Sequence, residues 1–334
     1  MALSERLVAA WYAPRLTPLS ALLAPAAFAF RGAAAIRRAL YSHRYLRVER
    51  MPVPVVVVGN ITVGGTGKTP LTIALAEELA RRGWRPGIIS RGYRARGTAP
   101  RAVGEGDRPE DVGDEPLLLA RTGLPVWVGV DRPAAARALL AAHSDRDVIV
   151  ADDGLQHYAL ARDVEIAVVD AARGLGNGLP LPAGPLREPG ARLAQVDAVV
   201  HLGGAVVRSS RDFAMTLAGE RFVRVNAGGV TADALLFRSG AVHAVAGIGN
   251  PGRFFAQLAA LGIGATCHPF PDHHRYTAAD LALPGATAIL MTEKDAVKCR
   301  AFADDRCWAL PVRAIVETAF YALVERRLRG SKAA

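Results

Sequence analysis

Apolar residues fall first into strand-length runs at 53–58, 86–89, 126–129, 148–151 and 165–169. Stretches with helical periodicity separate several of them, notably 68–82 and 133–143. Near-continuous apolar runs are those of strands covered on both faces, and their alternation with helices predicts a mostly parallel α/β sheet flanked by helices. After about Glu220 a second series begins, with a strand at 242–246, a helix from Phe254, a strand at 287–291, a helix from Lys294 and a last helix near 317–328. This pattern predicts a second, smaller α/β domain. The expected division is an N-terminal segment 1–50, a main domain 51–225 and a C-terminal domain 226–334. Within the main domain, 174–189 is rich in Gly and Pro and reads as an ordered loop.

The N-terminal segment has a different texture. Residues 16–30 carry no charge, and Arg15 and Arg31 close the run. A bilayer-spanning helix needs about 20 apolar residues, so this run is short, and Pro18 and Pro25 interrupt it. A cleavable signal peptide needs a more basic start, and a buried core helix does not need Arg31, Arg37, Arg38, Arg44 and Arg47 beside it. The pattern favours a helix that enters one leaflet with its arginines at the headgroups; whether it crosses, dips or lies flat stays open.

Charge and composition sharpen this reading. The chain has 334 residues and a net charge of +10, and residues 1–50 hold eight arginines against two acids, Glu5 and Glu49. Such an excess suits an anionic membrane surface. With aromatic residues at 6% and no recognisable base-reading motif, nucleic acid is not an expected partner. The three cysteines, Cys267, Cys299 and Cys307, show no CxxC spacing, which fits a reducing compartment and no thiolate metal site.

The first apolar run, with Val55–Val58, breaks into Thr62-Val63-Gly64-Gly65-Thr66-Gly67-Lys68-Thr69. Glycines let backbone N–H groups close around an anion, and a helix beginning there adds its dipole. The pattern is that of a P-loop lacking its first glycine, whose place Thr62 takes. Lys68 then faces the β- and γ-phosphates, and Thr69 brings a hydroxyl to Mg²⁺. A second metal carboxylate belongs at the end of a neighbouring strand, where the run 148–151 ends in Asp152 and Asp153. Either of the two acids suits the metal. Gln156 and His157 follow and suit the same crevice. Gly247-Ile248-Gly249-Asn250-Pro251-Gly252 fits GxGxxG, but Pro251 enters the turn, so it reads as a strand-to-helix turn rather than a dinucleotide site. Met291–Asp295 reads as a helix start.

The acceptor of a phosphoryl group is not fixed by such a loop. Here the ordered series VVVVGNITVGGTGKTP, SRGYR, VGDEP, DDGLQH, LPAGPLREP, FPDHH and MTEKDAVKC resembles the tetraacyldisaccharide 4′-kinase family across nearly the whole chain. The resemblance implies a P-loop kinase that uses ATP and Mg²⁺. It implies transfer to the 4′-hydroxyl of an acylated glucosamine disaccharide 1-phosphate, a lipid A precursor, at the cytoplasmic face of the bacterial inner membrane. No obligatory protein partner is expected. It also implies that an aspartate pairs with a histidine, at Asp114 and His273 here, with His274 as the alternative. Asp114 is then the base, Glu115 a candidate metal ligand, and Arg91 and Arg187 suit anionic groups of ATP or the substrate. The rival readings are a nucleotide-switch or metal-chaperone P-loop protein and a dinucleotide-dependent enzyme.

Overall fold

A computed structural model describes residues 3–104, 106–204 and 209–332, so the outermost residues of the two terminal segments, 1–2 and 333–334, lie outside it. The chain opens with α1 (Leu3–Trp11) and α2 (Pro18–Ser42). It continues through β1 (Val55–Gly59), α3 (Lys68–Arg81), β2 (Pro86–Ser90), β3 (Arg101–Ala102), α4 (Pro109–Val112) and α5 (Asp114–Ala120). Next come β4 (Val126–Val128), α6 (Arg132–Ala142), β5 (Val148–Asp152), β6 (Val164–Asp170), β7 (Ala198–Leu202) and β8 (Asp212–Ala218). These strands form a sheet in the order β8-β7-β6-β1-β5-β2-β4-β3, parallel except for the edge strand β3.

The tetravaline shows why β1 is central. Val56 and Val58 point into a core built with Leu71, Leu75 and Leu79 of α3, while Val55 and Val57 point into the opposite core with Ala135, Ala136 and Leu139 of α6. Alternate residues of a strand face opposite sides, so a strand packed on both must be apolar throughout. Burying each valine contributes roughly 1.5–3 kcal/mol. Both faces of β1 are therefore held, and the position of the loop at its C-terminal end is fixed.

A second sheet is built from β9 (Arg221–Arg224), β10 (Thr231–Asp233), β11 (Val242–Ala246), β12 (Thr266–Pro269), β13 (Ala288–Thr292) and β14 (Cys307–Leu310), in the order β10-β9-β14-β13-β11-β12. Its helices are α7 (Pro251–Ala260) and α8 (Glu293–Cys299). The chain departs from the expected 226–334 unit at both ends. The second sheet begins before residue 226, and β15 (Arg313–Val316) leaves it to pair antiparallel with β8 at the edge of the first sheet. Then α9 (Thr318–Lys332) sets Phe320, Val324 and Leu328 into the first core. The first sheet is thus closed by the last strand and helix of the chain.

The N-terminal helix α2 is longer than its apolar run, continuing through Arg31, Arg37 and Arg38 for 25 residues. Pro18 sits in the first turn, where a missing N–H costs nothing, and Thr17 caps it through Ser20 N. By length and composition α2 is the one described helix apolar enough to cross a membrane. Most of it is uncovered: Leu22 is 77%, Phe28 57% and Ile36 64% exposed.

Phe320 tests whether α9 is integral to the first core. Its replacement by Ala should cost about 3–5 kcal/mol in urea unfolding, and a loss below about 1 kcal/mol would place α9 outside the cooperative unit.

Candidate active site

The loop between β1 and α3 is shaped by backbone constraints. Gly67 adopts φ +86° as it enters α3, and a Cβ there would lie 2.8 Å from Leu202 Cδ2, so no side chain fits. Asn60 Nδ2 braces the loop from inside, donating to Thr66 Oγ1 at 3.2 Å and the Gly64 carbonyl at 3.4 Å. Thr62 forms a β-bridge with Leu186, and the Val63 N–H donates to the Pro185 carbonyl at 2.8 Å. The first two positions of the expected phosphate loop are therefore pinned to the Gly/Pro-rich loop, and the Val63 N–H is spent. Gly64 to Thr69 line a cavity of about 1000 Å³. Lys68 and Thr69, the buried first residues of α3, bring an ammonium and a hydroxyl to its N-terminus.

The neighbouring strand β5 delivers the two acids, with Asp152 registered against Val58 of β1. Asp152 is fully buried; Oδ1 accepts from Thr72 Oγ1 at 2.9 Å, and Oδ2 has no hydrogen-bond partner among the described residues. Burial, reinforced by the charges of Glu115 and Asp153, pushes its carboxyl up to about 7. Asp153 adopts a left-handed φ of +47° and lies 3.7 Å from Lys68 Nζ and 3.1 Å from Arg187 Nη1. Burial opposes its ionisation, but Lys68 and Arg187 overcome that and hold it well below the ordinary carboxylate range. Asp153, Thr69 and Glu115 line the cavity and Asp152 does not, and among the described residues these acids are not gathered into a group of three that could by itself hold a metal ion.

Arg91 and Arg187 also line the cavity, whereas Gln156 and His157 lie outside its wall. Gln156 Nε2 donates to the Asn60 carbonyl at 3.0 Å and to Glu188 Oε1 at 2.7 Å, and its own Oε1 accepts from Arg187 at 3.3 Å. It acts as a brace between the glycine loop and Arg187. His157 is driven down to about 3 by burial and then by Arg132 and Arg91, so its ring is neutral near pH 7.

The opposite wall comes from both sheets. Asp114 begins α5 after Gly113, and it is Gly113 that holds the N-cap position. Asp114 Oδ1 accepts from the Glu115 N–H at 3.1 Å, while Oδ2 lies 3.1 Å from His273 Nδ1. His273 stands in the loop after β12 with φ +58°; its ring centroid is 4.9 Å from that of Tyr93, and its carbonyl accepts from Arg94 Nη1 at 2.7 Å. Its neighbour His274 instead lies 3.3 Å from Asp280 Oδ2 and stacks on Phe270. Burial opposes ionisation of Asp114, but the His273 hydrogen bond and the Lys294 charge outweigh it and bring the carboxyl down to about 2.

Lys294 is the residue the sequence reading passed over. Thr292 does cap α8, so this is the expected helix start, but the Lys294 ammonium reaches across to Glu115 Oε1 at 3.0 Å. Burial works against its charge, yet Glu115, Asp272 and Asp114 more than restore it. Only the partners could have revealed it, and they lie far away in sequence.

The two sheets also touch at the glycine loop. A Cβ on Gly249 would stand 2.2 Å from the Gly65 nitrogen, so the middle glycine of GxGxxG is the residue that lets the loops meet. Arg173 Nη1 donates to the Gly249 carbonyl at 2.7 Å, and Asp170 pairs with Arg253 and accepts from Asn250 Nδ2 at 3.3 Å. Pro251 occupies the first turn of α7, where it is tolerated.

Comparison with known proteins bears on what this cleft does. The family described as tetraacyldisaccharide-1-P 4′-kinase matches residues 19–329. A tetraacyldisaccharide 4′-kinase of Dechloromonas aromatica is 52% identical over 325 residues, 96% of each chain. That of Pseudomonas aeruginosa is 48% identical over 330 residues, 98% of each chain. Among solved structures, an LpxK from Aquifex aeolicus, described as the "apo" form in complex with ATP, is 28% identical with a TM-score of 0.77. The likeness covers 93% of this chain and 99% of that one.

Asp114 gives a test of the electrostatics. Its folded pKa lies below its unfolded one, so its stabilisation is complete above about pH 5 and is lost as pH falls through about 2. The penalty of Asp114→Asn in urea unfolding should therefore shrink by roughly 2 kcal/mol on acidification across that window; a constant penalty would contradict the pairing.

Proposed function

We infer that this chain, which belongs to the tetraacyldisaccharide 4′-kinase family and is an ATP-dependent lipid A 4′-kinase, carries out phosphoryl transfer in the cleft between its two sheets. The nearest observation in support is the 3.1 Å approach of His273 to Asp114 on a wall that shares one cavity with the Lys68 loop. The protein is read as a P-loop kinase. N–H groups of Gly64 to Thr69 and the Lys68 ammonium bind the β- and γ-phosphates of ATP, aided by the dipole of α3. Arg91 and Arg187 bind anionic groups of ATP or of the disaccharide 1-phosphate. Gln156 holds Arg187 in place, and neutral His157 adds a polar edge beneath it.

The acceptor is the 4′-hydroxyl of a tetraacylated glucosamine disaccharide 1-phosphate. Its proton passes to Asp114 as its oxygen bonds to the γ-phosphorus and the bond to ADP breaks. A carboxylate at about 2 is a weak base, but phosphoryl transfer is largely dissociative and needs the hydroxyl proton only late. Orientation then matters more than basicity, and the His273 hydrogen bond supplies it. Mg²⁺ fits the shortfall at Asp152, whose buried Oδ2 has no hydrogen-bond partner among the described residues, and would be held by Asp152 or Asp153 with Thr69 and Glu115. When bound it neutralises charge on the β- and γ-phosphates.

The exposed apolar side of α2 and its arginines support attachment to an anionic membrane surface, at the cytoplasmic face where ATP is available. The helix is tied to the site. Ser20 Oγ of α2 accepts from Asn177 Nδ2 at 3.3 Å, and Trp11 Nε1 of the preceding α1 donates to the Pro182 carbonyl at 2.8 Å, both in the loop that carries Arg187. A peripheral or monotopic enzyme with its lipid substrate beside α2 follows.

Purified protein given Mg-ATP and the detergent-dispersed disaccharide should add one phosphoryl group to the sugar, read by mass spectrometry. Lys68→Ala and Asp114→Ala should each lower kcat on the order of 10³-fold or more. ATP hydrolysis that leaves the lipid unmodified would point instead to a nucleotide switch. Separately, Leu22→Glu, Phe28→Glu and Ile36→Glu together should reduce sedimentation with anionic vesicles about tenfold or more, while unchanged binding would move the attachment elsewhere.

A further inference from the structure

Lys294 stands where helix electrostatics disfavour it. It is the second residue of α8, in the first turn, where the helix dipole repels a cation. Its side chain is only 16% exposed, so the ammonium has also given up most of its water. Neither cost has a counterpart within α8. What offsets them lies across the cleft and beside it: Glu115 Oε1 at 3.0 Å and Asp114 Oδ2 at 3.9 Å, with Asp272 Oδ1 at 3.5 Å. The fourth neighbour is His273, whose Nε2 is 3.4 Å from the ammonium. Asp114 and Glu115 begin α5, which packs on the first sheet, whereas Asp272, His273 and Lys294 belong to the second. Without a cation at this point three carboxylates from two walls repel and shift, even though Arg121 Nη1 to Glu293 Oε1 at 2.7 Å still ties the end of α5 to α8.

We propose that Lys294 is a positioning residue of the transfer reaction, an ammonium that gathers carboxylates of both walls and so sets the Asp114–His273 pair. The inference rests on the reading of that pair as the one facing the acceptor hydroxyl. Lys294 lines the same cavity as the glycine loop, but its ion pairs are to Asp114, Glu115 and Asp272 on the far side from Lys68, so its loss falls first on the Asp114–His273 pair. A pair displaced by about an ångström loses on the order of 10²-fold in rate, and the loss belongs in kcat.

Steady-state kinetics of Lys294→Met, Lys294→Arg and Lys294→Ala, run beside Asp114→Asn, test this. Lys294→Met is expected to lower kcat about 10²-fold, with any rise in KM for ATP, through Glu115, well below that factor. Lys294→Arg, which keeps the charge, is expected within about tenfold of the parent. Added ethylammonium should restore part of the Lys294→Ala rate, while sodium chloride at equal ionic strength should not. Circular dichroism confirms that each variant is folded; if Met is not tolerated, the Arg and ethylammonium arms decide. A Lys294→Met rate within about threefold of the parent, a loss confined to KM, or folded variants that neither Arg nor ethylammonium recovers would overturn the role of Lys294. If Asp114→Asn itself turns over normally, it is the assignment of the reacting pair that falls, and the inference with it.

Discussion

A carboxylate taken out of water must meet a cation or a cluster of donors, or it takes up a proton. The cleft gathers Asp114, Glu115, Asp152, Asp153 and Asp272, and most of its geometry answers that demand. Asp153 is matched by Lys68 and Arg187, and Asp114 and Glu115 by Lys294 with His273. Among the described residues of this group, Asp152 alone has no ion pair to its carboxylate, and it is the one whose carboxyl rises, to about 7, despite the charge of Lys68. The acids of one cleft are thus set apart by which cation each one faces, as the proposed division between metal binding and the acceptor alcohol requires.

The fold delivers these groups by ordinary packing. Parallel strands buried on both faces end on one side of the sheet, so β1 and β5 bring the glycine loop and the two acids side by side. The second sheet approaches through backbone at Gly249 and through side chains at His273 and Lys294. Three non-glycine residues with left-handed φ, Arg94, Asp153 and His273, line the cleft. Backbone in that region is costly and persists where surrounding contacts over-determine it. Here those contacts are the ion pairs of Asp153 and the Tyr93, Arg94 and Asp114 contacts of His273.

Much of this was legible in the residues. β1, β2, β5 and β11 stand close to their expected limits because their residues are almost all apolar and buried, His243 of β11 being the half-buried exception. The last strand was not legible: β15 alternates exposed and buried residues over only four positions, and its partner β8 lies about a hundred residues earlier. Pairing of that kind is set by tertiary contact and leaves no local trace. The same holds in the site. Lys68 and Asp152 belong to local motifs, but Lys294 beside a capping threonine reads as a helix start, and its partner Glu115 is 179 positions away. Val63 fell within the expected phosphate loop, yet its N–H faces Pro185, a pairing that spacing alone does not show.

The account turns on Asp114 and His273 acting as one unit across the cleft. A double-mutant cycle on kcat, with Asp114→Asn, His273→Ala and both together, measures that unity directly. Coupled action predicts that the double variant is no slower than the slower single one. Losses that multiply, as they do for independent residues, would contradict it.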